Sequence, residues 1–200
     1  STVFGGVARR LGGRVRLILT GSAPISAEVM EFLRICFSCD VVEGYGQTES
    51  AAALTVAYPR DTTTGNCGVP HPSNQVKLVS VPEMEYLTSD QPCARGEVCC
   101  KGANVFKGYY KDQAKTDEAI DADGWLHTGD IGQWNADGTM KIIDRKKNIF
   151  KLAQGEYVAP EKLEAVAQRS PLIAQAFIYG DSLKHQLVGV IVPDSEALKD

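Results

Sequence analysis

The sequence predicts a mixed α/β chain: an alternating strand and helix run, then a β-rich stretch, then a second short mixed unit. Three observations predict it. An apolar run, a polar loop and a helical pattern follow one another before residue 44; short apolar segments between turn residues fill residues 68–107; and a proline-opened helix with apolar segments behind it occupies the region from 160.

Taken in order, Val15-Arg16-Leu17-Ile18-Leu19 reads as a strand ending at Thr20-Gly21-Ser22. After Pro24, Val29, Phe32, Leu33 and Cys36 recur on one helical face and predict a helix over Ala27 to Phe37. Asp40-Val41-Val42-Glu43 is the next strand and runs into Gly44-Tyr45-Gly46. Ligands of open α/β sheets gather at the carboxyl ends of strands, so the loops Thr20 to Ser26 and Gly44 to Ser50 are the first places to look for chemistry. Gln75 to Val81 and Gly96 to Lys101 are strands of the β-rich stretch, and Asp112 to Ala122 is a short amphipathic helix. Asp130 to Trp134 and Thr139 to Ile143 flank the hairpin-turn sequence Asn135-Ala136-Asp137-Gly138. The polar run Asp144-Arg145-Lys146-Lys147-Asn148 breaks the periodicity and marks a domain boundary. Beyond it Pro160 opens a helix, Ile173 to Tyr179 and Gln186 to Val192 read as strands, and Asp194 to Leu198 reads as a helix start. With Ser1 at the other end, the chain reads as a piece of a longer protein.

Composition excludes some classes. With 44% hydrophobic and 23% charged residues the chain is globular rather than disordered. Its 21 Lys and Arg against 25 Asp and Glu give a net charge of −4, which leaves no overall positive field for nucleic acid. No apolar stretch approaches the roughly 18–20 residues that cross a bilayer. Six cysteines in a chain with this much core read as reduced. Cys36 and Cys39 form a C-x-x-C, but no second pair completes a metal site; Cys36, Cys99 and Cys100 read as small core hydrophobes.

Four segments carry candidate chemistry. Gly21-Ser22-Ala23-Pro24 is either a tight strand-to-helix turn or a surface on which a flat ligand meets backbone, with helix amides nearby for an anion. In Gly44-Tyr45-Gly46-Gln47-Thr48-Glu49-Ser50 an aromatic face stands between glycines. Thr48 offers a hydroxyl to phosphate and Glu49 a carboxylate to Mg²⁺; the plainer alternative is a capped helix start. Asp123-Gly124-Trp125-Leu126-His127-Thr128-Gly129-Asp130 presents carboxylates that bridge vicinal hydroxyls or cap turns, and His127 reads as a structural hydrogen-bonder. Arg145 either sits in a solvated charge run or holds phosphate or ribose oxygens.

Together these segments resemble the adenylate-forming superfamily, and within it the long-chain fatty acid CoA ligases. Glu43-Gly44-Tyr45-Gly46-Gln47-Thr48-Glu49 is similar to the nucleotide-binding core motif; residues 123–147, DGWLHTGDIGQWNADGTMKIIDRKK, resemble the 25-residue signature of fatty acyl-CoA synthetases. Asn148 through Lys162, NIFKLAQGEYVAPEK, is similar to the long-chain eukaryotic-type subgroup. The likeness runs from Arg14 to Asp194.

The resemblance implies that residues 1–144 are the C-terminal part of the AMP-binding large domain, 145–148 a hinge, and 149–200 the first part of a small mobile C-terminal domain. It implies that Gly21, Ser22, Ala23 and Pro24 frame adenine with Gly44, Tyr45 and Gly46. Thr48 would then touch the α-phosphate, Glu49 help hold Mg²⁺, and Asp130 take the ribose hydroxyls beside Arg145. Lys147 would be the hinge, and Gly155 would begin a loop facing the CoA side. Fatty acid, ATP and CoA are the implied substrates. Membrane attachment, to endoplasmic reticulum or outer mitochondrial membrane with the enzyme facing the cytosol, is implied through segments outside this chain. Two family elements are missing: the Ser/Thr/Gly-rich phosphate loop, expected upstream, and the near-terminal adenylation lysine, expected downstream. The chain alone is therefore expected to lack ligase activity. Competing expectations are another adenylate-forming acid ligase, disfavoured by residues 150–162, and a non-catalytic AMP- or ATP-binding regulatory module, decided by whether the flanking sequence supplies those two elements.

Overall fold

The computed structural model describes residues 4–153, 156–180 and 183–198. A short helix α1 (Gly5–Arg10), which the glycine-rich sequence did not announce, precedes β1 (Leu17–Thr20). Helix α2 (Ala27–Phe37) starts where Ser26 Oγ accepts the Val29 amide at 3.3 Å and stops at Ser38, whose φ of 50° is left-handed. Strand β2 (Asp40–Tyr45) returns parallel to β1, with Leu17 beside Asp40 and Thr20 beside Glu43. Two short antiparallel strands, β3 (Thr55–Val56) and β4 (Val69–Pro70), complete a sheet of order β1-β2-β3-β4.

The expected strand, loop, helix and strand are present, but the apolar face of α2 is different. Met30 and Cys36 are buried, whereas Val29 is 47% and Phe32 60% exposed. Only Glu28, Glu31 and Arg34 interrupt the apolar residues of this helix, so periodicity alone does not choose its inner stripe. Arg34 marks the choice. It lies one turn from Met30, and its Nε donates to Val41 O at 3.0 Å and its Nη1 to Thr62 O at 2.9 Å, which turns that side toward β2. Strand β1 ends its sheet, with Leu17 and Leu19 exposed.

The β-rich stretch is an antiparallel sheet of β5 (Asn74–Val79), β6 (Arg95–Gly102), β7 (Leu126–Trp134) and β8 (Met140–Arg145), in that order. Helix α3 (Gln113–Ala119) lies between β6 and β7, capped by Asp112 Oδ1 on the Lys115 amide at 3.1 Å. Strand β7 begins four residues before the expected Asp130, because Leu126 and His127 pair with Cys100 and Cys99 of β6. Val98, Cys99 and Cys100 are fully buried, as expected of cysteine used as a small hydrophobe. Cys67 N donates to Met140 O at 2.8 Å and Met140 N to Gly68 O at 2.7 Å, which stitches the β4 connection to β8.

Past β8 come β9 (Phe150–Lys151), β10 (Tyr157–Val158), α4 (Pro160–Ala167), β11 (Ile173–Gly180) and β12 (Leu187–Pro193); β9 pairs with β10 and β11 with β12. The Asp194 segment forms a turn, Asp194 Oδ1 accepting the Glu196 and Ala197 amides. Ile149 shares a core with Val81, Tyr86, Ile131 and Ile143, and Tyr157 Oη donates to Glu83 O, so packing crosses the 145–148 boundary. No helix among the described residues is long and apolar enough to cross a membrane.

Candidate functional site

Gly21 brings the first two candidate loops together, and Gly46 tightens the second. A Cβ on Gly21 would lie 2.8 Å from Gly44 O, and one on Gly46 only 2.2 Å from Ala52 O. Loop residues 21–24 are exposed, with Ser22 at a φ of 70°, and they seat against the end of β2 because no side chain intervenes. The turn after Gly46 closes on itself, Ser50 Oγ donating to Gln47 O at 3.0 Å and accepting the Gln47 amide at 3.2 Å. It holds Thr48 exposed and Glu49 half-buried. Glu49 is fixed twice from the segment before α3: its carbonyl accepts the Phe106 amide at 2.7 Å, and its Oε1 accepts Tyr109 Oη at 2.8 Å.

The second group centres on Asp130. Tyr45 Oη donates to Asp130 Oδ2 at 2.6 Å, joining residues 85 apart in sequence. Arg145, the register partner of Asp130 on β8, brings Nε to 3.5 Å from Oδ1. Thr128 Oγ1 accepts the Asp130 amide at 3.1 Å and donates to Val98 O at 2.7 Å, which fixes the backbone under the carboxylate. Asp130 is only 5% exposed. Burial pushes its carboxyl above the usual range, opposed by the Tyr45 hydrogen bond and the Arg145 charge. Burial, and next the Asp130 charge, hold the Tyr45 phenol well above its ordinary value. Tyr45 packs against two buried clusters, Leu54, Cys100 and Leu126, and Cys67, Val98 and Met140. Lys147 is exposed in the turn after β8, and its charge also reaches Asp130. Gly155 lies outside the described residues.

The structure thus unites Gly21 with Gly44, and Tyr45 with Asp130 and Arg145, while Thr48 and Glu49 stand on the next turn of chain from Tyr45. Sequence reading missed Tyr109 as the partner of Glu49, and no local spacing announces a contact across 60 residues. It also missed a second constellation. Cys99 and His127 are cross-strand partners with Sγ 3.4 Å from Nδ1, and Glu97, two residues before Cys99 on the same strand, places Oε2 3.4 Å from that nitrogen. The Glu97-x-Cys99 alternation was the available signal, once β7 was known to begin at Leu126.

Glu49 fits Mg²⁺ as a single oxygen ligand. Mg²⁺ commonly takes one or two carboxylates and completes its shell with water and substrate phosphates. Glu49, held by Tyr109 beside the exposed Thr48 hydroxyl, is a donor of the type one such anchor requires.

The same arrangement of elements occurs in the A domain of carboxylic acid reductase from Segniliparus rugosus, solved with AMP and a co-purified carboxylic acid. It aligns with a TM-score of 0.84 and 36% identity over 99% of this chain and 30% of that one. The fold is therefore of the adenylate-forming class. The chain belongs to the AMP-binding enzyme family, which matches it over residues 4–110. It is similar to "Fatty acyl-CoA synthetase A" of Dictyostelium discoideum, 58% identical over 98% of this chain, and to "Long-chain-fatty-acid--CoA ligase 1" of Homo sapiens, 56% identical over 98%. It spans 30% and 28% of the lengths of those two relatives.

Proposed function

We propose that the protein carrying this chain is an AMP-forming long-chain fatty acid CoA ligase, and that these residues supply its nucleotide-holding wall and the joint to its small domain. One observation carries the nucleotide half: a buried carboxylate, Asp130, held between the Tyr45 hydroxyl and the Arg145 guanidinium, with the Gly21 and Gly44 backbones in contact on the strand that bears Tyr45. The fatty-acyl and CoA half rests on the 58% identity to a fatty acyl-CoA synthetase.

In this reading Asp130 receives the ribose hydroxyls, while Gly21 to Pro24 and Gly44 to Gly46 border the adenine. The Thr48 hydroxyl donates to the α-phosphate. A fatty carboxylate oxygen attacks the α-phosphorus, pyrophosphate leaves, and the CoA thiol then displaces AMP from the acyl-adenylate to give the thioester. Glu49 anchors Mg²⁺, which when bound neutralises charge developing on the phosphates. Lys147 serves as the pivot between the half-reactions, and Gly155 belongs to the loop that turns toward CoA. Arg145 counters the Asp130 charge and opposes the upward push of burial on that carboxyl. Attachment to endoplasmic reticulum or outer mitochondrial membrane, through segments outside this chain, belongs to the same proposal and is supported by the family likeness alone.

The test is Asp130→Ala in the full-length protein, with Tyr45→Phe beside it. Losing a charge-assisted ribose bond costs about 1.5–3 kcal/mol, so ATP binding should weaken about tenfold to a hundredfold. Tyr45→Phe, which leaves the Asp130 carboxylate in place, should weaken it less. An unaltered ATP dependence in Asp130→Ala removes the ribose assignment.

A further inference from the structure

The second constellation lies beside the nucleotide wall, at the start of β7, and the reaction above does not use it. Cys99 is fully buried, Glu97 nearly so, and the His127 side chain is 31% exposed, so the group has a closed floor and an open mouth. Oxygen, sulfur and nitrogen donors of the three all lie within 4.8 Å of one another. The two separations from Nδ1 are those of a coordination shell. With Zn–S near 2.3 Å and Zn–N and Zn–O near 2.0–2.1 Å, tetrahedral ligands stand about 3.5 Å apart for sulfur and nitrogen and about 3.4 Å for nitrogen and oxygen. The observed Sγ–Nδ1 and Oε2–Nδ1 separations are both 3.4 Å.

The surroundings supply the outer layer that such sites need. Asp121 Oδ2 lies 3.4 Å from His127 Nε2, placed to accept a hydrogen bond from that nitrogen, while Nδ1 faces Cys99 and Glu97. Asp121 is itself fixed, its Oδ1 accepting the Asp123 amide at 3.0 Å and the Trp125 amide at 2.8 Å. Glu97 Oε1 accepts the Gly129 amide at 3.2 Å, which orients the carboxylate and leaves Oε2 toward the cluster. The resident competitor is Lys146, whose Nζ stands 3.9 Å from Glu97 Oε2 and bonds Glu83 as well.

We propose that Glu97, Cys99 and His127 form a binding site for one borderline-soft divalent cation of the Zn²⁺ class, with water as fourth ligand on the exposed side and Asp121 as the outer carboxylate that orients His127. The donor set separates this site from Glu49: a thiolate and an imidazole select zinc-like ions, whereas an oxygen-only anchor suits Mg²⁺. Loading exchanges one proton for the metal, the Cys99 S–H bond breaking as the S–metal bond forms and the proton passing to solvent.

Full-length protein, stripped with a chelator, is dialysed against Zn²⁺ in the presence of a large excess of Mg²⁺, and bound zinc is counted per chain. The expected result is one zinc equivalent that Cys99→Ala lacks and the Cys36→Ser, Cys39→Ser double variant keeps. Asp121→Asn, which retains Oδ1 for the two amides but loses the acceptor facing Nε2, should bind zinc about 10- to 100-fold more weakly with an unchanged thermal unfolding profile. Co²⁺ in place of zinc should give thiolate-to-metal charge-transfer absorption in the C36S, C39S double variant. The proposal is overturned if the wild type takes up no equivalent beyond that of Cys99→Ala, or if Asp121→Asn binds zinc as tightly as wild type. The Asp121 substitution, which keeps both amide bonds, keeps the test decisive should the Cys99 one unfold the protein.

Discussion

Replacing Tyr45 by Phe isolates the bond that joins the two motifs of the proposed nucleotide wall. The ring stays, and with it the packing against Leu54, Cys100, Leu126, Cys67, Val98 and Met140; only the hydroxyl on Asp130 Oδ2, at 2.6 Å, is removed. A hydrogen bond to an ionised carboxylate contributes about 1.5–3 kcal/mol, against about 1 kcal/mol for a neutral pair. Arg145 replaces little of this, because its own side chain is 54% exposed and such ion pairs contribute about 0–1 kcal/mol. The variant should therefore lose about 1.5–3 kcal/mol when Asp130 is ionised and about 1 kcal/mol when it is protonated. The sign follows from which form is bonded. Burial already raises the Asp130 carboxyl above its unfolded value, so its contribution to stability is greatest below the unfolded value and falls as pH rises through the folded one. Removing Tyr45 Oη, which lowers that value, steepens the fall. Urea denaturation of wild type, Tyr45→Phe, Asp130→Asn and the double variant across pH 4–8 reads both the pH dependence and the coupling. A deficit independent of pH, or a coupling below about 0.5 kcal/mol, would refute the role assigned to this bond.

Gly46→Ala should destabilise the protein by more than about 2 kcal/mol and weaken ATP binding, since its Cβ meets backbone oxygen at 2.2 Å; Gly65→Ala, where φ is 76° but nothing lies within 4 Å, should cost only about 1–2 kcal/mol of backbone strain, and thermal melts of the two compare them directly. Glu43, half-buried at the end of β2, has its carboxyl pushed up to about 7 by burial. Its stabilisation is complete below the unfolded value and lost as pH rises to 7, so Glu43→Gln should match wild type at pH 4 and exceed it at pH 8 by about 1–2 kcal/mol after solvent screening. A lower melting temperature for Glu43→Gln at pH 8 would contradict this.

Local chemistry made some elements readable and left others hidden. Helix α2 was legible because its apolar period follows Pro24, yet its inner face was not, since the Arg34 bonds to Val41 and Thr62 depend on partners outside the helix. The start of β7 was misplaced because His127-Thr128-Gly129 looks like turn chemistry; in the structure Gly129 has a φ of 71°, and the irregular pairing near it lets polar residues remain in a strand. Asp130, Tyr45 and Arg145 were each identifiable as candidates from residue type and motif. Their union was not, because it is made by sheet register and one bond across 85 residues. Glu49 shows the same division: its carboxylate was readable as an oxygen ligand, while Tyr109, which aims it, was not.

Strand β1 gives the sheet a one-sided end. It pairs in parallel with β2, and its Leu17 and Leu19 stand in solvent. Parallel strands ordinarily have both faces covered, and a row of spare amides and carbonyls beside bare leucines is a template for any further strand. Expressed by itself, the 200-residue chain should self-associate through β1 before it displays any chemistry, whereas in a longer chain the same edge dictates where the next strand of the sheet must enter.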